Sequence, residues 1–166
     1  CILFNKSIFE VPGFERLDAA GYRQYEISNV ARPGRESRHN LKYWQDGEWI
    51  GFGCGAHSTI AGVRSRNVAG IEEYMSRVQA GEAATIERRS LTREERLEDA
   101  LFTGLRLADG IDIEDVGRRY GVDVWARFGT NLAPFVAERL LVREGPRLRL
   151  TRDGMLLANE IMAVFV

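Results

Sequence analysis

Apolar side chains recur at helical spacing in the second half of the chain. Three leucines lie four residues apart: Leu97, Leu101 and Leu105. This pattern predicts an amphipathic helix that ends at Asp109-Gly110. Thr92 and Glu95 stand three residues apart ahead of it, which predicts a capping box at its first turn. The sequence therefore predicts one helix with a defined beginning and end.

Further elements are predicted after this helix. Asp112 is placed to cap a short helix that ends at Gly121. The stretch 124–140 has helical apolar spacing, but Pro134 predicts a break within it. Two short β-type runs then flank a turn signal: 141–143 and 148–150. Thr151 predicts the cap of a closing helix. Three helices, a two-stranded wing and a closing helix are the order of a winged-helix-like module.

The first half of the chain has shorter, mixed patterns. They predict the following elements: a helix over 14–20, a strand over 22–27, an exposed loop over 28–40, a strand over 48–53, a hairpin over 56–67, an amphipathic helix over 70–81 and a polar linker over 82–90. The pattern predicts an α+β protein with two domains, residues 1–81 and residues 82–166, the second being mainly helical.

Composition excludes several classes of protein. Apolar residues make up 45% and charged residues 28% of the 166 residues, which is a globular profile. No apolar run is long enough to cross a bilayer and no signal-peptide layout opens the chain, so we expect a soluble, cytoplasmic protein without a membrane span. A net charge of -1 gives no overall attraction for nucleic acid, and two cysteines exclude a disulfide scaffold.

The string HNLKYW combines an imidazole with two aromatic rings. If a helical turn starts at Asn40, His39 and Tyr43 lie on one side with Trp44 adjacent, so the three can surround one flat ligand. A porphyrin suits this arrangement, because neutral imidazole is an axial ligand of haem iron. Three arginines are candidate partners for its propionates: Arg32, Arg35 and Arg38. The alternative is that His39 caps a turn and the rings fill a core.

Alternating glycines mark a second candidate site. Gly51, Gly53 and Gly55 let a ligand or another backbone approach closely, and His57 follows them. The spacing is not the dinucleotide-binding fingerprint, and a tightly packed strand end is the alternative. Cys54 lies between two of these glycines and is interpreted as a small buried apolar residue.

The winged-helix-like order raises a nucleic-acid hypothesis. The candidate recognition helix carries only Arg127 and Arg139, whereas duplex binding needs a dense basic face. Four further arginines lie in or beside the wing: Arg143, Arg147, Arg149 and Arg152. A solvated charged hairpin explains them more simply, so nucleic acid is not the expected partner.

Four strings occur in one order: YEISNVARPG, RHNLKYW, GFGCGAHS and RLRLTRDGMLLANEI. From about Leu17 onward the chain resembles the C-terminal part of the oxygen-independent coproporphyrinogen III oxidase-like radical S-adenosylmethionine proteins. The HNxxYW string is similar to the signature of the haem chaperone (HemW-like) branch. The resemblance implies the last strands of a partial (β/α) barrel followed by the helical domain. Ser37 departs from relatives that have a cysteine there.

The resemblance also implies function. The family's CxxxCxxC motif belongs upstream, and Cys1 and Cys54 cannot replace it, so a 4Fe-4S cluster and S-adenosylmethionine are expected in the intact protein only. The branch implies haem binding, with His39 as iron ligand, and delivery to haem-acceptor proteins; the alternative is oxidative decarboxylation of coproporphyrinogen III. Gly51–Gly55 and His57 are expected to line the S-adenosylmethionine site, and no residue is assigned a catalytic role. An exposed strand edge is expected to form a homodimer.

Overall fold

A computed structural model describes residues 2–3 and 11–166, and the predictions that involve Cys1 lie outside them. The described residues form an α+β structure. The helices are α1 Val11–Ala19, α2 Arg38–Trp44, α3 Ile71–Gln79, α4 Arg93–Gly104, α5 Ile113–Tyr120, α6 Val124–Ala137, α7 Arg152–Leu156 and α8 Ala158–Met162, with a 3₁₀ turn at Ala163–Phe165. The strands are β1 Ile2–Leu3, β2 Arg23–Glu26, β3 Asn29–Ala31, β4 His57–Ile60, β5 Val63–Asn67, β6 Thr85–Ser90, β7 Ile111–Asp112, β8 Leu141–Glu144 and β9 Arg147–Leu150.

The strands form three antiparallel sheets of three strands each, in the orders β1-β3-β2, β4-β5-β6 and β7-β9-β8. The chain divides into two compact units. The described residues up to Asp46 together with Leu97–Val166 form the first unit, and Gly47–Arg96 form the second. The unit boundaries differ from the predicted division between residues 81 and 82, which stays a prediction about domains.

The main core belongs to the first unit. Its fully or nearly fully buried side chains come from α4 to α8 and the third sheet, and include Leu101, Leu105, Leu132, Leu148 and Ile161. Ile27, which follows β2, joins the same cluster. The segment 23–31 therefore packs against the C-terminal helices through Ile27. This packing fixes the chain that leads into α2.

The predicted helix caps are confirmed. Asp112 accepts a hydrogen bond from the Asp115 amide at 2.8 Å, and Thr151 accepts one from the Gly154 amide at 3.0 Å. Thr92 and Glu95 form the reciprocal capping box, in which the Glu95 amide donates to the Thr92 hydroxyl at 3.1 Å. Each cap satisfies an amide that the first helical turn leaves free.

The capping box lowers the pKa of Glu95 from 4.5 to about 2, chiefly because the Thr92 amide donates to its carboxylate and also because Arg89 does. A carboxyl with a lowered pKa stabilises the fold above its unfolded pKa, and the contribution is lost as pH falls through its folded pKa. We expect Glu95→Gln to be less stable than wild type near neutral pH, and the gap to close between pH 4.5 and about 2. Urea midpoints at several pH values measure the gap; a constant gap would contradict the assignment.

Several predicted elements are wrong. The predicted loop 28–40 contains the strand β3 and the beginning of α2. β3 is buried because it is the central strand of its sheet and pairs with both β1 and β2. The predicted linker 82–90 contains β6, which pairs along β5. The predicted strand 48–53 is reduced to one isolated bridge between Trp49 and Thr59.

Helix α6 continues through Pro134 to Ala137 instead of breaking at the proline. Proline removes one donor to the carbonyl four residues earlier, that of Thr130. Thr130 and Pro134 are both exposed, so water can satisfy this carbonyl at low cost. The predicted closing helix is divided at Leu157 into α7 and α8. Within the described residues, no helix is long and apolar enough to cross a membrane.

Candidate functional site

Helix α2 carries the whole HNLKYW string and begins two residues earlier than the sequence predicts. The Ser37 hydroxyl accepts from the Asn40 amide at 3.3 Å and is the N-cap. The helix ends where the Gln45 amide donates to the Leu41 carbonyl. Ser37 thus has a definite structural role: it starts α2.

His39 and Tyr43 lie on the same side of α2, because residues four apart in a helix are neighbours on its surface. The His39 side chain is exposed and Tyr43 is half-buried. Ser37, not His39, caps the turn, and the His39 imidazole is accessible to a ligand that approaches from solvent.

Trp44 points about 100° away from Tyr43 around the helix axis. Its ring meets the Tyr43 ring edge-on, with centroids 4.8 Å apart, and the Arg106 guanidinium carbon lies 4.4 Å from its centroid. The indole Nε1 is buried and has no hydrogen-bond partner among the described residues. Trp44 is thus directed toward Arg106 and the body of the first unit.

Three hydrogen bonds hold α2 and the residue beyond it in place. The Asn40 side-chain amide donates to the Tyr25 hydroxyl at 3.3 Å and links the helix to β2. Beyond the C-terminal end of α2, Asp46 has a positive φ of 59° and accepts from the Tyr120 hydroxyl at 2.6 Å and from Arg119 at 3.1 Å. The helix is therefore attached both to the first sheet and to α5.

Two cavities adjoin the inner side of α2. One of about 630 Å³ is lined by Tyr25, Leu41, Gln45, Leu107, Arg147 and Arg149, with Glu36, Asp109 and Gly110. The other, of about 430 Å³, lies against Trp44 and Gln45. Sequence reasoning missed Tyr25, Arg106, Arg147 and Arg149 as neighbours of the helix, because they follow or precede it by many residues and share no local pattern with it.

The glycine segment belongs to the second unit and is tightly hydrogen-bonded. The three glycine amides donate to Ser58 Oγ, Tyr74 Oη and the Val68 carbonyl, from Gly51, Gly53 and Gly55 respectively. A Cβ on Gly51 would lie 2.2 Å from the His57 carbonyl oxygen, so no larger residue fits there. Because these three amides already have acceptors, a ligand at this segment could make only van der Waals contact with the glycines and no hydrogen bond to these amides.

His57 and Cys54 are both exposed. The interpretation of Cys54 as a buried apolar residue is therefore wrong: the turn 53–55 turns the thiol outward. His57 pairs in register with Arg66 and lines a cavity of about 500 Å³ with Arg64, Arg66 and Arg89. Over the residues the structure describes, no group of three or more His, Cys, Asp and Glu side chains is arranged to hold a metal ion.

Comparisons with known proteins identify the relatives of this chain. The HemN C-terminal domain family matches residues 91–157. The chain is 34% identical over 151 residues to the heme chaperone HemW of Bacillus subtilis, which covers 91% of this chain and 40% of that protein. It is 30% identical over 146 residues to HemW of Lactococcus lactis, covering 88% and 38%.

A relative from Bos taurus, radical S-adenosyl methionine domain-containing protein 1, mitochondrial, is 32% identical over 157 residues and covers 88% and 36%. Among solved structures, the radical SAM enzyme coproporphyrinogen III oxidase (HemN) of Escherichia coli superposes with a TM-score of 0.73 at 20% identity, over 93% of this chain and 39% of that chain; this likeness shows the fold. The chain spans about two fifths of the length of these relatives. It belongs to the HemN/HemW-like family of radical S-adenosylmethionine proteins and corresponds to their C-terminal part.

Proposed function

We propose that this chain is part of a cytoplasmic radical S-adenosylmethionine haem chaperone that binds haem on α2 and delivers it to haem-acceptor proteins. One observation carries the proposal: in a chain that is 34% identical to a heme chaperone, α2 presents His39 to solvent with Tyr43 beside it. An accessible neutral imidazole is an axial ligand of haem iron, and an adjacent ring can pack on the macrocycle.

The other residues of HNLKYW have supporting roles in this proposal. Asn40 orients the helix through Tyr25. Trp44 is directed inward, so its proposed role is to support the Tyr43 ring edge-on and to anchor α2 through Arg106. The exposed arginines at and before the start of the helix are the proposed propionate partners: Arg32, Arg35 and Arg38. Charge-assisted bonds between guanidinium and carboxylate groups are short and directional, so they would fix the rotation of the macrocycle.

The remaining family cofactors are proposed for the intact protein. A 4Fe-4S cluster needs several thiolates, whereas this chain has Cys1 and the exposed Cys54 as its two cysteines. The residues present do not fit the cluster, so no step is derived through it. Gly51, Gly53, Gly55 and His57 stay the proposed contacts to S-adenosylmethionine, and no residue of this chain is proposed to be catalytic.

The proposal also includes the domain architecture and a homodimer. The end of a partial (β/α) barrel stays the proposal for a domain 1–81 of the intact protein; barrel strands are parallel, whereas the β1-β3-β2 sheet is antiparallel, so this sheet would lie at the margin of the barrel. Helices α4 to α6 with the β8–β9 wing would form a winged-helix-like domain 82–166. In the first sheet β1 and β2 are the edges. A homodimer through such an edge is part of the proposal, and a monomer in sedimentation at high protein concentration would contradict it.

Titration with hemin tests the proposal through the Soret band. His39→Ala is expected to weaken binding at least about tenfold and to change the Soret position, because the iron loses its protein ligand. Lys42→Ala is the matched control, since Lys42 is exposed on the same helix and has no ligand role. Identical spectra for wild type and His39→Ala would remove His39 as the ligand, and a wild type that does not bind hemin would remove the function.

The fold likeness to coproporphyrinogen III oxidase favours one alternative, oxidative decarboxylation of coproporphyrinogen III by the intact protein. Turnover of that substrate by the reconstituted intact protein would favour the oxidase over the chaperone. Nucleic-acid binding fits less well. Arg143 stacks on Trp125 at 4.1 Å, Arg152 pairs with Asp18 at 2.6 Å, and Arg139 lies beyond the end of α6. Salt-dependent retardation of duplex DNA would be needed to revive it.

A further inference from the structure

A buried ion pair lies beneath α2. Glu26 on β2 is fully buried, and its carboxylate accepts from the Ser28 amide at 3.0 Å and from the Asn29 side chain. Arg106, which follows α4, places its Nη2 atom 3.6 Å from Glu26 Oε2 and 3.3 Å from the Ser28 hydroxyl. The YEISN string of the sequence is thereby accounted for: three of its side chains form the polar cluster that receives Arg106.

The guanidinium of Arg106 contacts Trp44 as well as Glu26. Its carbon lies 4.4 Å from the Trp44 ring centroid, and the Arg106 side chain is 20% exposed. Stacking of a guanidinium on an indole is a favourable cation–π contact that strengthens when it is shielded from water. Arg106 therefore connects β2 to α2.

The cluster is electrostatically expensive. Three of its buried polar atoms lack a hydrogen-bond partner within the described part of the chain: Glu26 Oε2, Arg106 Nε and Trp44 Nε1. Native proteins leave few such atoms, and a buried ion pair is often no more stable than apolar residues of the same volume. A gain in global stability therefore explains this arrangement poorly. A planar cation that fixes the orientation of Trp44 explains it better.

We propose that Arg106 is a positioning residue for α2: held by Glu26 and Ser28, it orients Trp44 and thereby sets the direction in which α2 presents His39. The effect on haem binding rests on the proposed function. The orientation of α2 by Arg106 does not depend on it. A shift of α2 by one residue about its axis would turn His39 by about 100°. The Asn40–Tyr25 contact holds the first half of α2 and the Asp46–Tyr120 contact holds the segment beyond it, whereas Arg106 acts on Trp44, the last residue of the helix.

A simpler role would be that Arg106 only neutralises Glu26. The double variant Glu26→Gln/Arg106→Met separates the two roles, because it removes both charges and keeps an unbranched side chain at position 106. If neutralisation were the whole role, the double variant would match wild type. If Arg106 positions α2, the double variant is expected to keep most of the global stability but to lose about tenfold in hydrogen-exchange protection of the α2 amides, which corresponds to about 1.4 kcal/mol.

The experiment measures exchange on the full chain without haem, followed by hemin titration of the same proteins. Arg118→Met is the control, since Arg118 is an exposed arginine that pairs with Asp115 on its own helix, α5. We expect faster exchange in α2, weaker hemin binding and a shifted Soret band in the double variant, and none of these in the control. Wild-type protection of α2 in the double variant would overturn the proposal.

A second variant covers the case in which the double variant fails to fold. Trp44→Leu removes the stacked ring and leaves the Glu26–Arg106 pair intact, so faster α2 exchange is expected again and unchanged exchange overturns the proposal. The readouts also separate the two proposals. If wild type does not bind hemin, the proposed function fails, whereas the exchange rates still decide whether Arg106 positions the helix.

Discussion

Gly110→Ala is expected to lower the free energy of unfolding by about 3–5 kcal/mol, because it combines two unfavourable effects. Gly110 has a φ of +65°, in the left-handed region that a Cβ disfavours. An added Cβ would also lie 2.0 Å from the Leu148 carbonyl oxygen and 2.6 Å from the Arg149 Cα. Both atoms belong to the backbone of β9, so the strand itself would have to move.

Gly145→Ala is the matched control for this variant. Gly145 has a φ of +59° in the β8–β9 turn, and a Cβ there would have no heavy atom within 4 Å. The control therefore measures the left-handed conformation alone, for which a loss of about 1–2 kcal/mol is expected. Urea unfolding of both variants gives the two losses. If the two variants lost the same free energy of unfolding, β9 would move at no cost to admit the added Cβ, and the prediction for Gly110→Ala would be wrong.

Local signals along the chain were sufficient for the helical part of the fold. Thr92, Asp112 and Thr151 cap helices because a side-chain oxygen followed by a free amide three residues later is a contact within one turn. The leucine spacing of α4 and the glycine-marked wing are likewise local. These elements could be predicted because their determining interactions lie a few residues apart.

Strands β3 and β6 could not be predicted in this way. Asn29–Ala31 is too short to show alternation, and Thr85–Ser90 is almost entirely polar. Both are strands because partners elsewhere in the chain accept their backbone hydrogen bonds, a tertiary effect that overrides propensity. Conversely, the apolar string 48–53 has strand composition, but its Gly51 lies against the His57 carbonyl and pairing is limited to one bridge at Trp49.

The candidate site shows the same division. The HNLKYW string predicted a helical turn with His39 and Tyr43 on one side, and α2 has this arrangement. The support beneath the helix was not predictable, because Glu26 and Arg106 come from distant segments and each resembles an ordinary surface charge in the sequence. Burial and a stacked ring, which only the fold supplies, give these two residues their significance.

Leu101→Ala tests which parts of the chain unfold together. Leu101 on α4 is fully buried in the main core, and removal of a buried leucine side chain costs about 2–5 kcal/mol. In the proposed division between residues 81 and 82, β6 and α4 lie in the second domain and β3 lies in the first. The compact units place β3 with the buried part of α4 and β6 in the other unit.

Native-state hydrogen exchange distinguishes the two divisions, because amides that open with the destabilised unit lose protection in proportion to the lost stability. We expect the β3 amides of Val30 and Ala31 to lose protection together with α4, and the β6 amides to keep theirs. Arg93→Ala, at the exposed start of the same helix, is the control and should change neither set. Loss of protection in β6 with β3 unaffected would instead support a domain that begins at residue 82 and would separate α2 from the helical core.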